Sequence, residues 1–467
     1  MIKLLKSHTI YFYSISLALF TLISVSCSST SKAISNNSVN NSKELGTYNI
    51  DMSNTSQKIT IMGGDMERSQ YFLQRAANPL EIASWCFKDI PFNTCRVSYD
   101  KQQELVEGEK NMAFYDDAVS SMKLLKKVNP NIAFWATMKS DYNGYNHSNN
   151  LPDWICDYKP TTRFDCEKYA YFLADYLQYM ESNGVPITYL SVSKEWVGVI
   201  TAERTEKIIL VLDNECKKRG IKIPLHVDPA SWGISQGVSF IKKIAENGSS
   251  DLFYGFCTHN LNKNESSRML YDNFVKQASA INKPAFADES STGGGGRSYG
   301  KEPETMNKIL KAYTEKCKFY KDGIQGELMF EIFSRGVKAE SRAVYFTKGS
   351  EGHRMRAYYV MKEFASFFKG ADKYYIRTDD MDKTNVSSMT FANKDEAMVC
   401  IVNSSSSDLK DFSIKIENST IDGQISKHEF TIDESIEGIA SNVSISKNVF
   451  TTTIPASSIV FLKMSFK

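Results

Sequence analysis

The sequence predicts an α/β protein: a (β/α)8 TIM barrel with a C-terminal antiparallel β-sandwich side domain, together spanning most of 467 residues. Two observations carry this. From about residue 60 to 371, short runs rich in β-branched and aromatic residues alternate with longer amphipathic stretches. After Gly370 the texture changes to short alternating runs separated by Ser, Asn and Asp clusters. Apolar strands alternating with helices imply a parallel sheet covered on both faces. Eight such units favour closure into a barrel over an open doubly wound sheet.

The strands are expected at Thr60–Gly63, Thr94–Ser98, Ile132–Met138, Thr188–Ser193, Ile223–Asp228, Leu252–Thr258, Pro284–Asp288 and Gly326–Phe330. Helices are expected at Ala113–Val128, Cys166–Ser182, Ala202–Lys218, Gly237–Ala245, Ser267–Ile281, Glu302–Phe319 and Arg354–Lys369. The open sheet would be supported by a Gly-x-Gly-x-x-Gly turn after an early strand. None is present, and Gly293–Gly296 comes too late and in the wrong context to bind a nucleotide. Residues 62–372 are therefore assigned to the barrel and 373–467 to the sandwich, with runs such as Met398–Val402, Phe412–Ile416 and Ser458–Leu462 as its strands. Residues 47–61 also read as strands and are expected to join the sandwich.

Charge and composition exclude several classes. A net charge of +2 with scattered basic residues gives no electrostatic case for nucleic acid. Six histidines, two of them outside the barrel, and the absence of a CxxC or Cys/His cluster argue against a metal site. Lys3 and Lys6 precede an apolar run from Ile10 to Val25 that ends at Ser24-Val-Ser-Cys27, which makes residues 1–27 an export signal. The cysteine resembles a bacterial lipoprotein processing site, with Ser24 where Leu is usual. Residues 28–46 are a Ser/Asn-rich tether. The expectation is a monomeric outer-membrane or cell-surface lipoprotein, otherwise periplasmic or secreted, touching the membrane only through lipid on Cys27. Export permits disulfides, and Cys86/Cys95 and Cys156/Cys166 are close enough in sequence to pair. Packing as small buried apolar side chains accounts for them equally well.

Two glutamates close apolar strands: Glu195 in Tyr189-Leu-Ser-Val-Ser-Lys-Glu-Trp196 and Glu289 in Pro284-Ala-Phe-Ala-Asp-Glu-Ser290. Counting strands puts them after the fourth and the seventh. Two carboxylates on one rim of a barrel are the arrangement that cleaves a glycosidic bond. Asp228, Asp288, Glu327 and Glu331 compete for these roles. Side chains alternate along a strand, so Asp288 and Glu289 should face differently. Glu331, at the rim end of the eighth strand, is the most credible substrate-binding alternative. His259 closes the sixth strand in Phe256-Cys-Thr-His-Asn260. Trp135, Trp154, Trp196 and Trp232 fall on or just after the rim, with Trp135 and Trp196 foremost as sugar-stacking candidates. A core position is the alternative for each, Trp135 above all.

Three segments resemble a known family. Tyr48-Asn-Ile-Asp-Met-Ser-Asn-Thr-Ser-Gln-Lys-Ile-Thr-Ile-Met-Gly-Gly-Asp65 is similar to the entry strands of glycoside hydrolase family 30, where a Gln precedes a Gly-Gly turn into the barrel. Arg354-Met-Arg-Ala-Tyr-Tyr-Val-Met-Lys-Glu-Phe-Ala-Ser-Phe-Phe-Lys-Gly370 is similar to its last barrel helix, and Ile454-Pro-Ala-Ser-Ser-Ile-Val-Phe461 to its closing strand. The resemblance implies a retaining glycosidase acting on a carbohydrate without a cofactor. In it Glu195 is the acid/base, Glu289 the nucleophile, and Arg96 the cation beside Glu289. The relatives usually have Asn before the acid/base and often Pro after it; here Lys194 and Trp196 stand there. Lys194 either donates to a sugar hydroxyl, recognises an anionic sugar, or marks a barrel that has lost catalysis and only binds glycans.

Overall fold

The computed structural model describes residues 47–139, 150–157, 163–261, 270–293, 306–334, 342–346, 349–378 and 385–467. The export segment, the tether and Cys27 lie outside the described residues, as do residues 294–300 of the glycine-rich stretch after Glu289.

Eight parallel strands form a closed barrel: Ile61–Asp65, Thr94–Tyr99, Ala133–Met138, Tyr189–Leu190, Leu225–Ser231, Gly255–Thr258, Ala285–Ser291 and Gly326–Phe330. The eighth pairs with the first, Gly326 opposite Ile61, which closes the cylinder. Helices follow the strands in turn: Pro79–Ser84, Asp116–Val128, Cys166–Ser182, Ala202–Arg219, Ile234–Asn247, Leu270–Ala280, Met306–Lys321 and Arg356–Ala365. Asp165 caps the third helix by accepting from the backbone N–H of Glu167 and Lys168. Gly220, in the left-handed region at φ 66°, ends the fourth.

Three departures from the sequence expectation shape the site. The first strand runs past Gly63 through Gly64 to Asp65, so the Gly-Gly pair lies within it rather than in a turn. A Cβ on Gly63 would meet Leu328 of the eighth strand at 2.4 Å, and one on Gly64 would meet Ile332, just beyond that strand, at 1.7 Å, so this close packing requires glycine. The fourth strand shrinks to Tyr189–Leu190. Beyond it the chain is tied to the fifth strand by other bonds: Val192 N–H donates to Asp228 Oδ1 at 2.9 Å, Ser193 Oγ to the Pro229 carbonyl at 2.8 Å, and Glu195 N–H to the Ala230 carbonyl at 2.8 Å. Asp228 is thus mid-strand and buried, not a strand end. The third departure is a bulge in the seventh strand. Ala287 pairs with Glu327 and Ser290 with Met329, so Asp288 and Glu289 together oppose Leu328.

The barrel interior is filled by Ile61, Trp135, Val227, Ala230, Cys257, Phe286 and Leu328. Trp135 is fully buried there, edge-on to Phe286, with its indole N–H donating to Ser191 Oγ at 2.9 Å. It is a core residue and cannot stack on a sugar. The cysteines at 86, 95, 156, 166, 216, 257, 317 and 400 are all free and buried, so neither Cys86/Cys95 nor Cys156/Cys166 forms a disulfide.

The side domain packs two sheets around a second apolar core. Thr55–Ile59 runs antiparallel to Lys373–Ile376 in its larger sheet, and Tyr48–Asp51 runs parallel to Leu409–Glu417 in its smaller one. Gln57 ties this entry segment to the barrel floor, donating to the Tyr320 carbonyl at 2.6 Å. Lys463 and His428 of the sandwich both meet Glu363 on the last barrel helix, at 2.7 and 3.0 Å. Among the described residues no helix is long and apolar enough to cross a membrane.

Candidate active site

The carboxyl-terminal rim of the barrel gathers charged side chains from six of its strands. Arg96, wholly buried on the second strand, is the hub. Its Nε meets Asp65 Oδ2 at 2.5 Å, and its Nη2 meets Glu67 at 3.2 Å and Glu289 Oε2 at 2.6 Å. Its Nη1 donates to the backbone carbonyl of Asp288 and lies 3.4 Å from that residue's Oδ2. A planar guanidinium can serve several carboxylates at once because its donors form a fixed fork.

Lys194 is buried and its ammonium contacts Glu67, with Glu289 Oε2 at 3.5 Å. His259 is buried between the two candidate acids. Its Nδ1 lies 3.1 Å from Glu195 Oε1, and its Nε2 lies 3.2 Å from Asp288 Oδ2 and 3.6 Å from Glu289 Oε2. One ligand atom each from Glu195, His259 and Glu289 all lie within 4.8 Å of one another. Glu195 itself sits at φ 61°, in the left-handed region, a conformation that is costly for a side chain of its size.

These contacts set the charges. Burial pushes Glu289 upward, but Lys194, His259 and Arg96 outweigh it and hold its carboxyl well below the usual range. Burial pushes His259 toward neutrality, yet Asp288, Glu289 and Glu195 lift its pKa to about 10. At neutral pH the imidazole therefore carries both protons and donates from both nitrogens. Glu67 is lowered, burial being overcome by Lys194 and Arg96. Burial lifts Asp65 to about 7 against the pull of Arg96. Asp228 is lifted to about 8 by burial, against the N–H groups of Val192 and Ser193.

Glu195, His259 and Glu289 form a donor set of the type a divalent cation uses. Arg96 and Lys194 lie against Glu289 in the same cluster, so its carboxylate is paired with these two cations.

The rim brings together Arg96, Lys194, Glu195, His259 and Glu289. Glu331 lies beside them, its Oε1 accepting from Arg68 N–H at 3.1 Å and its Oε2 3.7 Å from Arg342. Arg68, Arg342 and Lys194 surround the Phe330 ring at 4.9, 5.0 and 5.9 Å. Trp196 is only 4% exposed and packs in the main core, which removes it as a stacking surface. Trp154 is partly buried, its indole N–H bonded to the Glu104 carbonyl. Trp232 is half-buried just beyond the fifth strand. Glu327 turns away from the site toward Lys316 and Tyr320.

Sequence reasoning missed Asp65 and Glu67, although both sit at the end of the first strand, where rim acids belong. It also turned Asp288 away from Glu289. The bulge breaks the alternation, and both side chains reach His259.

No protein-family profile and no curated protein matches the chain. Solved structures do. The glycoside hydrolase family 30 subfamily 8 xylanase Xyn30A from Clostridium acetobutylicum superposes with a TM-score of 0.66 at 16% identity, over 90% of this chain and 99% of that one. The family 30 xylanase C catalytic domain from Talaromyces cellulolyticus gives 0.66 at 13% identity, over 90% and 100%. An endo-β-1,6-glucanase gives 0.65 at 14% identity, over 90% and 94%. At such identities the likeness is one of fold: the chain carries the barrel-and-sandwich fold of glycoside hydrolase family 30 structures.

Proposed function

We propose that this protein is a retaining β-glycoside hydrolase acting on a poly- or oligosaccharide by double displacement. The observation that carries the reading is the approach of Glu195 and Glu289 oxygens to within 4.8 Å on one barrel rim, with Arg96 bound to Glu289. Retaining enzymes keep their carboxyls about 5–5.5 Å apart, whereas inverting ones need about 6.5–9.5 Å to admit a water between them. The neighbours named as xylanases and as an endo-β-1,6-glucanase support a polysaccharide substrate.

In this reading Glu289, ionised, attacks the anomeric carbon as the bond to the leaving oxygen breaks, and Glu195 gives that oxygen its proton. Glu195 then takes a proton from water, whose oxygen attacks the same carbon and frees Glu289. His259 orients Glu195 through Nδ1–H. Lys194, beside Glu289, is placed to donate to the sugar hydroxyl next to the reacting carbon, with Glu67 neutralising its charge. Trp232 offers the ring for stacking.

Glu289→Gln should abolish turnover of a β-glycan panel, and azide should rescue Glu289→Ala as a β-glycosyl azide. Unchanged turnover in Glu289→Gln would sink the assignment. One observation favours a second reading, a silent glycan-binding lipoprotein. Three cations crowd Glu289, and each lowers its nucleophilicity. Glycan binding without product separates the two. The export reading is tested by metabolic labelling with a fatty-acid analogue, which should mark the wild type and not Cys27→Ser.

A further inference from the structure

Asp288 and Glu289 reach the same cluster only because the seventh strand is bulged. Ala287 is the last residue in register before the bulge and Ser290 the first after it. Their partners on the eighth strand are Glu327 and Met329. Ser290 Oγ donates to Glu327 Oε2, so one hydrogen bond staples the two ends of the bulge together. Lys316, on the helix Met306–Lys321, reaches in and donates to Ser290 Oγ at 3.1 Å and to Glu327 as well. Tyr320, one helical turn on, donates to the other oxygen of Glu327 at 2.9 Å.

Lys316, Glu327 and Tyr320 are at most 1% exposed. A buried ion pair is a poor way to gain stability, since apolar residues of similar volume often do better. What this one supplies is direction. Glu327 accepts from a strand hydroxyl, a helix ammonium and a helix phenol, which fixes strand seven against strand eight at the point where the alternation must fail.

We propose that Ser290, Glu327 and Lys316 are positioning residues that hold the bulge and thereby aim Glu289 at the anomeric carbon. The proposal rests on the reading of Glu289 as nucleophile. None of the three touches substrate; they act through the backbone of residues 288 and 289.

Ser290→Ala and Glu327→Gln in the full chain test it, with p-nitrophenyl β-glucoside and β-xyloside as probes. Displacing a reacting group by a fraction of an ångström should lower kcat about 10–100-fold while KM stays within about twofold. The His259 imidazole resonances should shift in the substrate-free protein, because its carboxylate neighbours move. Ser290→Thr restores the hydroxyl on a side chain suited to a strand and should return both signals. Folded variants of both kinds with wild-type kcat and unmoved His259 resonances overturn the proposal. A lowered unfolding midpoint as the sole effect overturns it too, by making the network merely structural. Should the wild type turn over no β-glycoside, the glycosidase reading fails on its own, and the His259 resonances still decide whether the network places Glu289.

Discussion

Nη2 of Arg96 lies 2.6 Å from Oε2 of Glu289, and behind that contact the same guanidinium holds Asp65, Glu67 and Asp288. One buried cation thus directs the candidate nucleophile, shares with Lys194 and His259 in keeping it ionised, and meets three further acids. Its removal has two separable consequences, one chemical and one structural.

Arg96→Lys keeps the charge and loses the fork. The ammonium cannot reach four carboxylates, so Glu289 should lose its fixed orientation, with kcat/KM falling on the order of 10²–10³-fold. Arg96→Met removes the charge as well and leaves buried acids uncompensated. Breaking a buried pair in this way costs about 3–5 kcal/mol. Turnover assays and urea unfolding at pH 7 check the two effects. Wild-type stability in Arg96→Met would show that these acids are not held by Arg96.

His259 should make stability fall with rising pH. Its pKa is about 10 in the folded protein against 6.5 for an ordinary histidine. The native state therefore keeps a proton that the unfolded chain releases between those values. The contribution is fully present below about pH 6.5 and is lost as pH rises toward 10. Glu289 works in the opposite sense. Its folded value lies below the ordinary one, so its contribution is present above the ordinary carboxylate pKa and fades only in acid. Urea unfolding across pH 6–10 should show His259→Gln losing its deficit relative to wild type as pH rises. A constant difference would mean that His259 is neutral in the native state.

The buried Trp135 and the half-buried Trp232 should fail in different ways. Trp135→Ala opens a cavity in the barrel interior and should cost about 3–5 kcal/mol, read by denaturant unfolding. Trp135→Phe should leave KM within about twofold, because the ring never meets substrate. Trp232→Ala should raise KM with little change in stability. A rise in KM in Trp135→Phe would place that ring at the sugar after all.

Much of this was legible without coordinates. Alternating strands and helices specified a barrel because each amphipathic segment has one place to bury its apolar face. Counting strands then put Glu195, His259 and Glu289 on one rim, since strands in a parallel barrel all point the same way. Arg96 was readable as a charge inside an apolar strand, which must find partners. What the period-2 rule could not deliver was the placement of Asp288. A bulge is one extra residue in a register, and register depends on the neighbouring strand.

The sequence by itself determined the architecture and the residue types at the rim, because periodicity and strand order are properties of one segment at a time. Only the tertiary structure decided which rings are buried, that the eight described cysteines stay unpaired, that Asp65 and Glu67 share Arg96 with Glu289, and that Lys194 points at Glu67. Each of these depends on the distance between side chains from different strands, and closure of the barrel is what sets that distance.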